Sequence, residues 1–264
     1  MRILGAFFRR ALHMNMIYRV DFWLWLAGTF VMMYAVYSIW GMLYAQNPDA
    51  FGMNVEQMRV YGVLGILLEL AMESAMWTQW YIADQVRTGT LELDLLKPLD
   101  FMYHMLSSNL GGAGVMILFQ FIPGLLFAWL ALGFRPPVDG VAAVSFVVSV
   151  VLGYLVFFFL NFLFGLLSIV TLDIRSYSWA YDSLVRFTSG QIVPLWMFPT
   201  PLRAIIGALP FQAVYYAPMS LYIGAQEGSV ATVLGSQALW ALALFLLARF
   251  AWARVQRRIA IQGG

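Results

Sequence analysis

The sequence predicts an all-α integral membrane protein with six transmembrane helices, and three observations carry that expectation. Of 264 residues, 62% are hydrophobic and only 11% charged, whereas water-soluble chains are about 45–50% apolar and roughly 25% charged. The mean hydropathy is +0.79. The apolar residues form unbroken runs rather than alternating stretches of about ten, which selects helices over a barrel, since only those two architectures satisfy their backbone in lipid. At about 20 residues per crossing the length holds about six spans and leaves no room for a sizeable water-soluble domain, so residues 1–264 read as a single transmembrane domain.

The elements are taken in chain order. Residues 1–20 carry an apolar stripe (Ile3, Leu4, Phe7, Phe8, Leu12, Met16) beside a basic one (Arg2, Arg9, Arg10, His13, Arg19), the pattern of an interfacial helix entering the first span as an elbow. The first long apolar run has 23 residues and no small-residue cleavage site, so it reads as a retained span and not a signal peptide. Apolar windows place the six spans at 22–44, 60–82, 105–132, 141–172, 177–197 and 230–253. Six crossings put both termini on one side. With that side cytoplasmic, ten Lys and Arg flank the spans inside and three (Arg59, Arg135, Arg203) outside, which orients the chain with both ends in the cytoplasm.

Charge and composition also exclude function classes. A net charge of +2 without any dense basic run argues against nucleic-acid binding. The absence of cysteine removes disulfides, thiolate metal sites and thiol nucleophiles. His13 and His104 are far apart without a second-ligand pattern, so no metal site is expected, and no G-x-x-x-x-G-K-[ST] loop is present to bind nucleotide.

Two connections stand out. Residues 83–104 mix Asp84, Arg87, Glu92, Asp94, Lys97 and Asp100 with Leu91, Leu93, Leu95 and Leu96, a cytoplasmic surface suited to contact with another protein. Residues 191–228 contain Pro194, Pro199, Pro201, Pro210 and Pro218, too many for one straight helix in a segment too apolar for a free loop. Irregular backbone at membrane depth requires cover from protein or a wet cavity, so broken, re-entrant helices near the outer leaflet are expected there.

The run Ile82-Ala83-Asp84-Gln85-Val86-Arg87-Thr88-Gly89-Thr90-Leu91-Glu92, followed by Leu95-Leu96-Lys97-Pro98-Leu99, resembles the cytoplasmic gate-helix segment of ABC transporter permeases of the ABC-two type, also called type V exporters. Ser189-Gly190, Pro194-Leu195, Phe198-Pro199, Leu209-Pro210-Phe211 and Tyr216-Ala217-Pro218 are similar to one poorly characterised subgroup, encoded as paired permeases beside an ATPase. Where many exporters carry Glu four residues before the glycine, this sequence has Gln85 beside Asp84.

The resemblance implies a permease of the cell inner membrane that is not itself an enzyme. Two permease copies, identical or paralogous, would form an export pathway over two ATP-binding subunits, which would hold the ATP and magnesium. It further implies that Asp84, Gln85, Arg87, Gly89, Glu92, Asp94 and Lys97, with Asp173 and Arg175 from the turn between spans four and five, meet those subunits.

Glu69 and Glu73 are the most costly side chains in the sequence. Spaced i, i+4 on one face of span two, each sits where a charge costs at least about 2.5–3.5 kcal/mol. They are candidates to line the substrate pathway, to relay protons, or to pair with Arg186 or Arg249. Asp182 and Arg186, also i, i+4, read most simply as satisfying each other. Other function classes remain: a proton-coupled secondary transporter built on Glu69 and Glu73, an intramembrane enzyme using them with Ser74 or Thr78, or an assembly scaffold.

Overall fold

A computed structural model describes residues 19–46, 52–96, 99–171 and 173–262, and every regular element among them is helical. The expected interfacial helix over 1–20 lies almost entirely outside the described residues, as do Lys97 and Pro98. Helix α1 (Arg19–Gln46) and α2 (Val55–Thr88) form an antiparallel hairpin, and the short α3 (Leu91–Leu95) comes after α2 beyond a bend at Gly89. Next come α4 (Phe101–Leu132) and α5 (Gly140–Thr171). A shorter helix, α6 (Arg175–Thr188), precedes the broken segment holding α7 (Thr200–Gly207) and α8 (Tyr216–Ile223), and α9 (Val230–Gln262) closes the chain.

Five helices among the described residues are long and apolar enough to cross a membrane: α1, α2, α4, α5 and α9. The fifth expected span, 177–197, is not one helix. Here α6 has 14 residues, about 21 Å against the ~30 Å hydrocarbon core, and the chain turns at Ser189 and Gly190 instead of continuing to Met197. The physical reason lies in its residues: Ser176, Ser178, Asp182, Ser183 and Arg186 make α6 amphipathic rather than uniformly apolar, and Gly190 has φ 78°, a left-handed conformation that terminates a helix.

The central helix is α2. In its membrane window 67% of residues are buried, against 17% for each of α1, α4 and α9, which mainly face outward. Its ends are well defined: Asn54 and Gln57 form a reciprocal capping box (Asn54 Oδ1 accepts from Gln57 N–H at 2.8 Å), and Gly89 closes the other end at φ 69°. Small residues set the spacing of its neighbours. A side chain at Gly62 would collide with Val36 and Trp40 of α1, and one at Gly165 with Gln79 and Ile82 of α2. Tyr61, Leu64, Leu67, Leu68 and Met72 of α2 meet Phe158 and Phe162 of α5 in the shared core.

Helix α4 changes geometry midway. A π-turn over Ile117–Phe121 precedes Pro123, whose ring opposes the carbonyl of the residue four positions back and whose nitrogen has no proton to give. The wider turn accommodates both defects, and the helix resumes to Leu132.

Residues 191–228 fold as four short helical pieces, the 3₁₀ turns Leu195–Met197 and Pro210–Ala213 together with α7 and α8. Pro199 caps α7, Pro210 opens its 3₁₀ turn, and Pro218 falls in the first turn of α8, where an N–H is not needed. Pro194 is buried just ahead of the first 3₁₀ turn, and α8 is buried along its whole length. These pieces pack at the end of the bundle where α2 begins and α4 ends: the Gln57 side chain donates to Ile223 O at 3.4 Å and Tyr222 Oη to Arg135 O at 2.9 Å.

The irregular backbone is held by side chains from three long helices. Gln237 of α9 donates to Ala213 O (2.8 Å) and Ser149 O (3.1 Å) and accepts from Ser149 Oγ (2.7 Å), with all these atoms buried. Tyr61 of α2 donates to Gly190 O at 2.5 Å, and Gly153 of α5 lets the Ala213 and Val214 carbonyls approach to where a Cβ would otherwise stand. Gln237→Leu removes the donor and leaves the buried Ala213 carbonyl and Ser149 hydroxyl without their partner, so it should destabilise the protein by about 1–3 kcal/mol. Thermal unfolding in mild detergent, followed by tryptophan emission, should show a lower melting temperature; an unchanged curve would contradict this account of the segment.

Candidate functional site

Two regions hold most of the candidate site residues that the sequence singles out. The first lies about midway along α2. Glu69 and Glu73 share one face, as the four-residue spacing requires, and that face turns toward α6 and α1. Glu69 forms an ion pair with Arg186 of α6 at 2.8 Å and accepts a second bond from Gln191 Nε2 at 2.9 Å, so both carboxylate oxygens are occupied. Glu73 is held more weakly: the Trp77 indole N–H donates to it at 3.4 Å, a long contact.

This corrects the expectation that Asp182 and Arg186 satisfy each other. Arg186 reaches across to Glu69, and Asp182 instead accepts from Gln79 Nε2 of α2 at 3.0 Å. The two i, i+4 neighbours on α6 thus each find a partner on α2, joining the helices at two levels. Arg249, considered as a partner for the acidic pair, lies elsewhere. It bonds Asp100 at 2.6 Å at the start of α4, with its guanidinium over the Tyr103 ring. Ser74 and Thr78, the hydroxyls nearest the acidic pair in sequence, are engaged by Tyr154 (2.8 Å) and Asn109 (3.1 Å) in helix packing.

A cavity of about 580 Å³ opens beside the acidic pair, between α1 and α2. Leu24, Trp25, Gly28 and Met32 line it from α1, Met72, Met76 and Trp77 from α2, and Phe157, Arg186 and Tyr215 close it from behind. Gly28 borders open space, with no atom within 4 Å of where a side chain would begin.

The second region comprises the end of α2, the bend at Gly89 and α3. Asp84 and Arg87 pair at 2.8 Å on the exposed surface. Gln85 organises the bend: its carbonyl accepts from Thr90 N–H at 3.0 Å and its Oε1 from the Thr90 hydroxyl, while Gly89 adopts the left-handed conformation between them. Helix α3 is then fixed to α2, because the Tyr81 hydroxyl donates to buried Asp94 at 2.7 Å and Leu91 is buried. Glu92, Leu93 and Leu96 face outward, Leu96 with 81% of its surface exposed. Asp173 and Arg175 are exposed in the turn before α6, where the Asp173 carboxylate accepts from the Arg175 N–H at 2.8 Å. Close packing of α5 on α2 at Gly165 brings that turn to the same end of the bundle as Asp84 and Arg87.

The ion pair at mid-span yields a test. Arg186→Gln leaves Glu69 without its counter-charge, whereas Glu69→Gln with Arg186→Gln removes both charges and leaves groups that still hydrogen-bond. The double variant should therefore melt above Arg186→Gln, with a coupling of about 0.5–3 kcal/mol in a double-mutant cycle. Additive melting shifts would mean that the two side chains do not act as a pair.

The arrangement joins a mainly apolar cavity with partly covered charge at its wall to an exposed helix–bend–helix at one end of the bundle, in a helical, multi-pass membrane protein. No curated protein matches the chain. The family model described as ABC-2 family transporter protein matches residues 30–263, from within α1 through the end of α9. The chain therefore belongs to the ABC-2 family of transporter proteins.

Proposed function

We propose that this chain is the membrane permease of an ATP-driven exporter, forming the substrate pathway as a dimer over two ATP-binding subunits that carry ATP and magnesium. It sits in the cell inner membrane with both termini cytoplasmic, α6 and the broken segment after it together making the sixth passage between α5 and α9, which is the orientation that the ten-to-three partition of Lys and Arg favours. In that orientation 83–104 faces the cytoplasm, and the short helices of 191–228 form a re-entrant layer on the outer side.

The observation that carries the reading is the continuity of α2. One helix of 34 residues bears Glu69 and Glu73 at its middle and ends in a capped bend to which α3 is bonded through Tyr81 and Asp94. From Glu73 to Thr88 is about 22 Å of uninterrupted helix, stiff enough to carry a displacement at α3 to the Glu69–Arg186 contact between α2 and α6. Closure of the ATP-binding subunits would press on Glu92, Leu93 and Leu96, with Asp84, Gln85, Arg87 and Lys97 and the Asp173–Arg175 turn as flanking contacts. Two arrangements of α2 against α6 would then present the cavity to one side or the other. Glu69 and Glu73 line the pathway in this scheme.

The test is to purify the tagged chain in mild detergent, identify the ATP-binding subunit that accompanies it, and follow ATP-dependent transport after reconstitution. Transport by the chain alone, driven by a pH gradient without any ATPase, would overturn the reading. Within the reconstituted complex, Glu92→Lys and Arg87→Glu should break the link between hydrolysis and transport while leaving melting nearly unchanged, because the exposed Arg87–Asp84 pair contributes about 1 kcal/mol at most. Full transport in both variants would remove the coupling role from this segment.

A further inference from the structure

The charge balance around the cavity leaves one group over. Glu69 is matched by Arg186 and further bound by Gln191, so neither oxygen seeks another partner. Among the described residues, Glu73 is bonded by the Trp77 indole, 3.4 Å away, and by no cationic side chain. A carboxylate so placed, against Met32, Met72, Met76 and Leu24, is one negative charge in a mainly apolar chamber.

We propose, taking the cavity to be the exporter's substrate pathway, that it binds an amphiphilic organic cation with Glu73 as counter-ion and the Trp25 and Trp77 rings against its apolar body. Each alternative ligand class meets an obstacle on the same wall. An anion would face two carboxylates, and the guanidinium among the described lining residues, Arg186, is already committed to Glu69. A wholly apolar molecule would leave Glu73 desolvated and unpaired. A hydroxyl-rich molecule would find few groups to bond: the Thr29 hydroxyl donates to Trp25 O of its own helix at 3.0 Å, and most of the remaining lining is hydrocarbon, aromatic or thioether.

A lipophilic cation meets every feature. Indole rings attract positive charge at their faces, and the two at the cavity rim, Trp25 and Trp77, are 62% and 56% exposed. Unbranched methionines reshape around bodies of different outline. The volume of about 580 Å³ is ordinary for a small-molecule site. The cavity runs beside Leu24 to Met32 of α1 and Ile66 to Trp77 of α2, about midway along α2.

Labelled tetraphenylphosphonium is the probe, with tetraphenylborate as its counterpart of the same shape and opposite charge. The full-length chain is placed in phosphatidylcholine nanodiscs without nucleotide, and binding to empty discs is subtracted. Saturable phosphonium binding is expected, without comparable saturable binding of the borate. Glu73→Gln should weaken it about tenfold or more, a loss of about 1.4 kcal/mol or more. Gly28→Leu should abolish it at unchanged melting temperature, because the new side chain enters open space. Equal binding of the two ions, phosphonium binding undiminished by Glu73→Gln, or binding that persists in Gly28→Leu overturns the proposal; if Glu73→Gln does not fold, Gly28→Leu and the ion pair of probes decide it. Because no ATP or partner is present, failure here refutes the ligand class, whereas failure of ATP-dependent transport refutes the exporter reading and leaves charge-selective binding intact.

Discussion

A polar backbone group inside a bilayer has no water to turn to, and that constraint governs how this chain is built. Straight helices meet it within themselves. Residues 189–228 do not, because their prolines and the left-handed Gly190 interrupt the ladder, so they require donors and close cover from elsewhere. Gln237 and Tyr61 supply bonds, Ser149 holds Gln237 in place, and Gly153 supplies room for the carbonyls to come near. The choice of a polar residue in the otherwise apolar α9, and of glycine in the middle of α5, reflects the needs of a segment far away in sequence.

The same economy of polar groups shapes the middle of the bundle. Glu69 and Asp182, on different helices, each take a partner across the α2–α6 boundary, so two ionic or hydrogen-bonded rungs join helices that otherwise share little apolar surface. A short amphipathic α6 is stable under these conditions because its charges point at α2 and its neighbour α5 lies alongside, Tyr181 stacking on Phe164 at 4.1 Å. Such a boundary is easier to rearrange than the interlocked α2–α5 core, where Gly165 sits directly on Gln79 and Ile82. Polar rungs confer direction and a limited set of alternatives, whereas dense apolar packing confers rigidity.

Much of the architecture was legible in the residues, since hydrophobic run length reports membrane crossing directly. The windows at 22–44, 60–82, 105–132 and 230–253 each fall within a long helix, and 141–171 of the fourth window falls within α5, with ends displaced by caps such as Asn54 that hydropathy does not sense. The window at 177–197 misled because an apolar average conceals periodicity: the polar residues of α6 lie on one face, and Ser189-Gly190 ends it. The acidic pair announced itself by cost alone, and its shared face came from spacing. Arg186 stood among its candidate partners, but the choice between Asp182 and Arg186 bonding each other or reaching to Gln79 and Glu69 is made by the angle between two helices, a quantity without local signature. Gln191, Trp25 and Gly28 were missed for the same reason. Gln191 did carry a faint signal, a lone amide directly after the helix-ending glycine.

The π-turn in α4 has a bearing on how that helix fits its neighbours. One additional residue in a turn offsets everything beyond it by roughly a quarter revolution relative to an unbroken α-helix. The first half therefore directs Met102, Met105 and Ala113 inward at one azimuth, and the second half directs Gly124, Ala128 and Leu132 at another, where Gly124 admits Leu67 of α2 and Met33 of α1. A single rod is thereby given two facings, and Pro123 keeps them from drifting back into alignment.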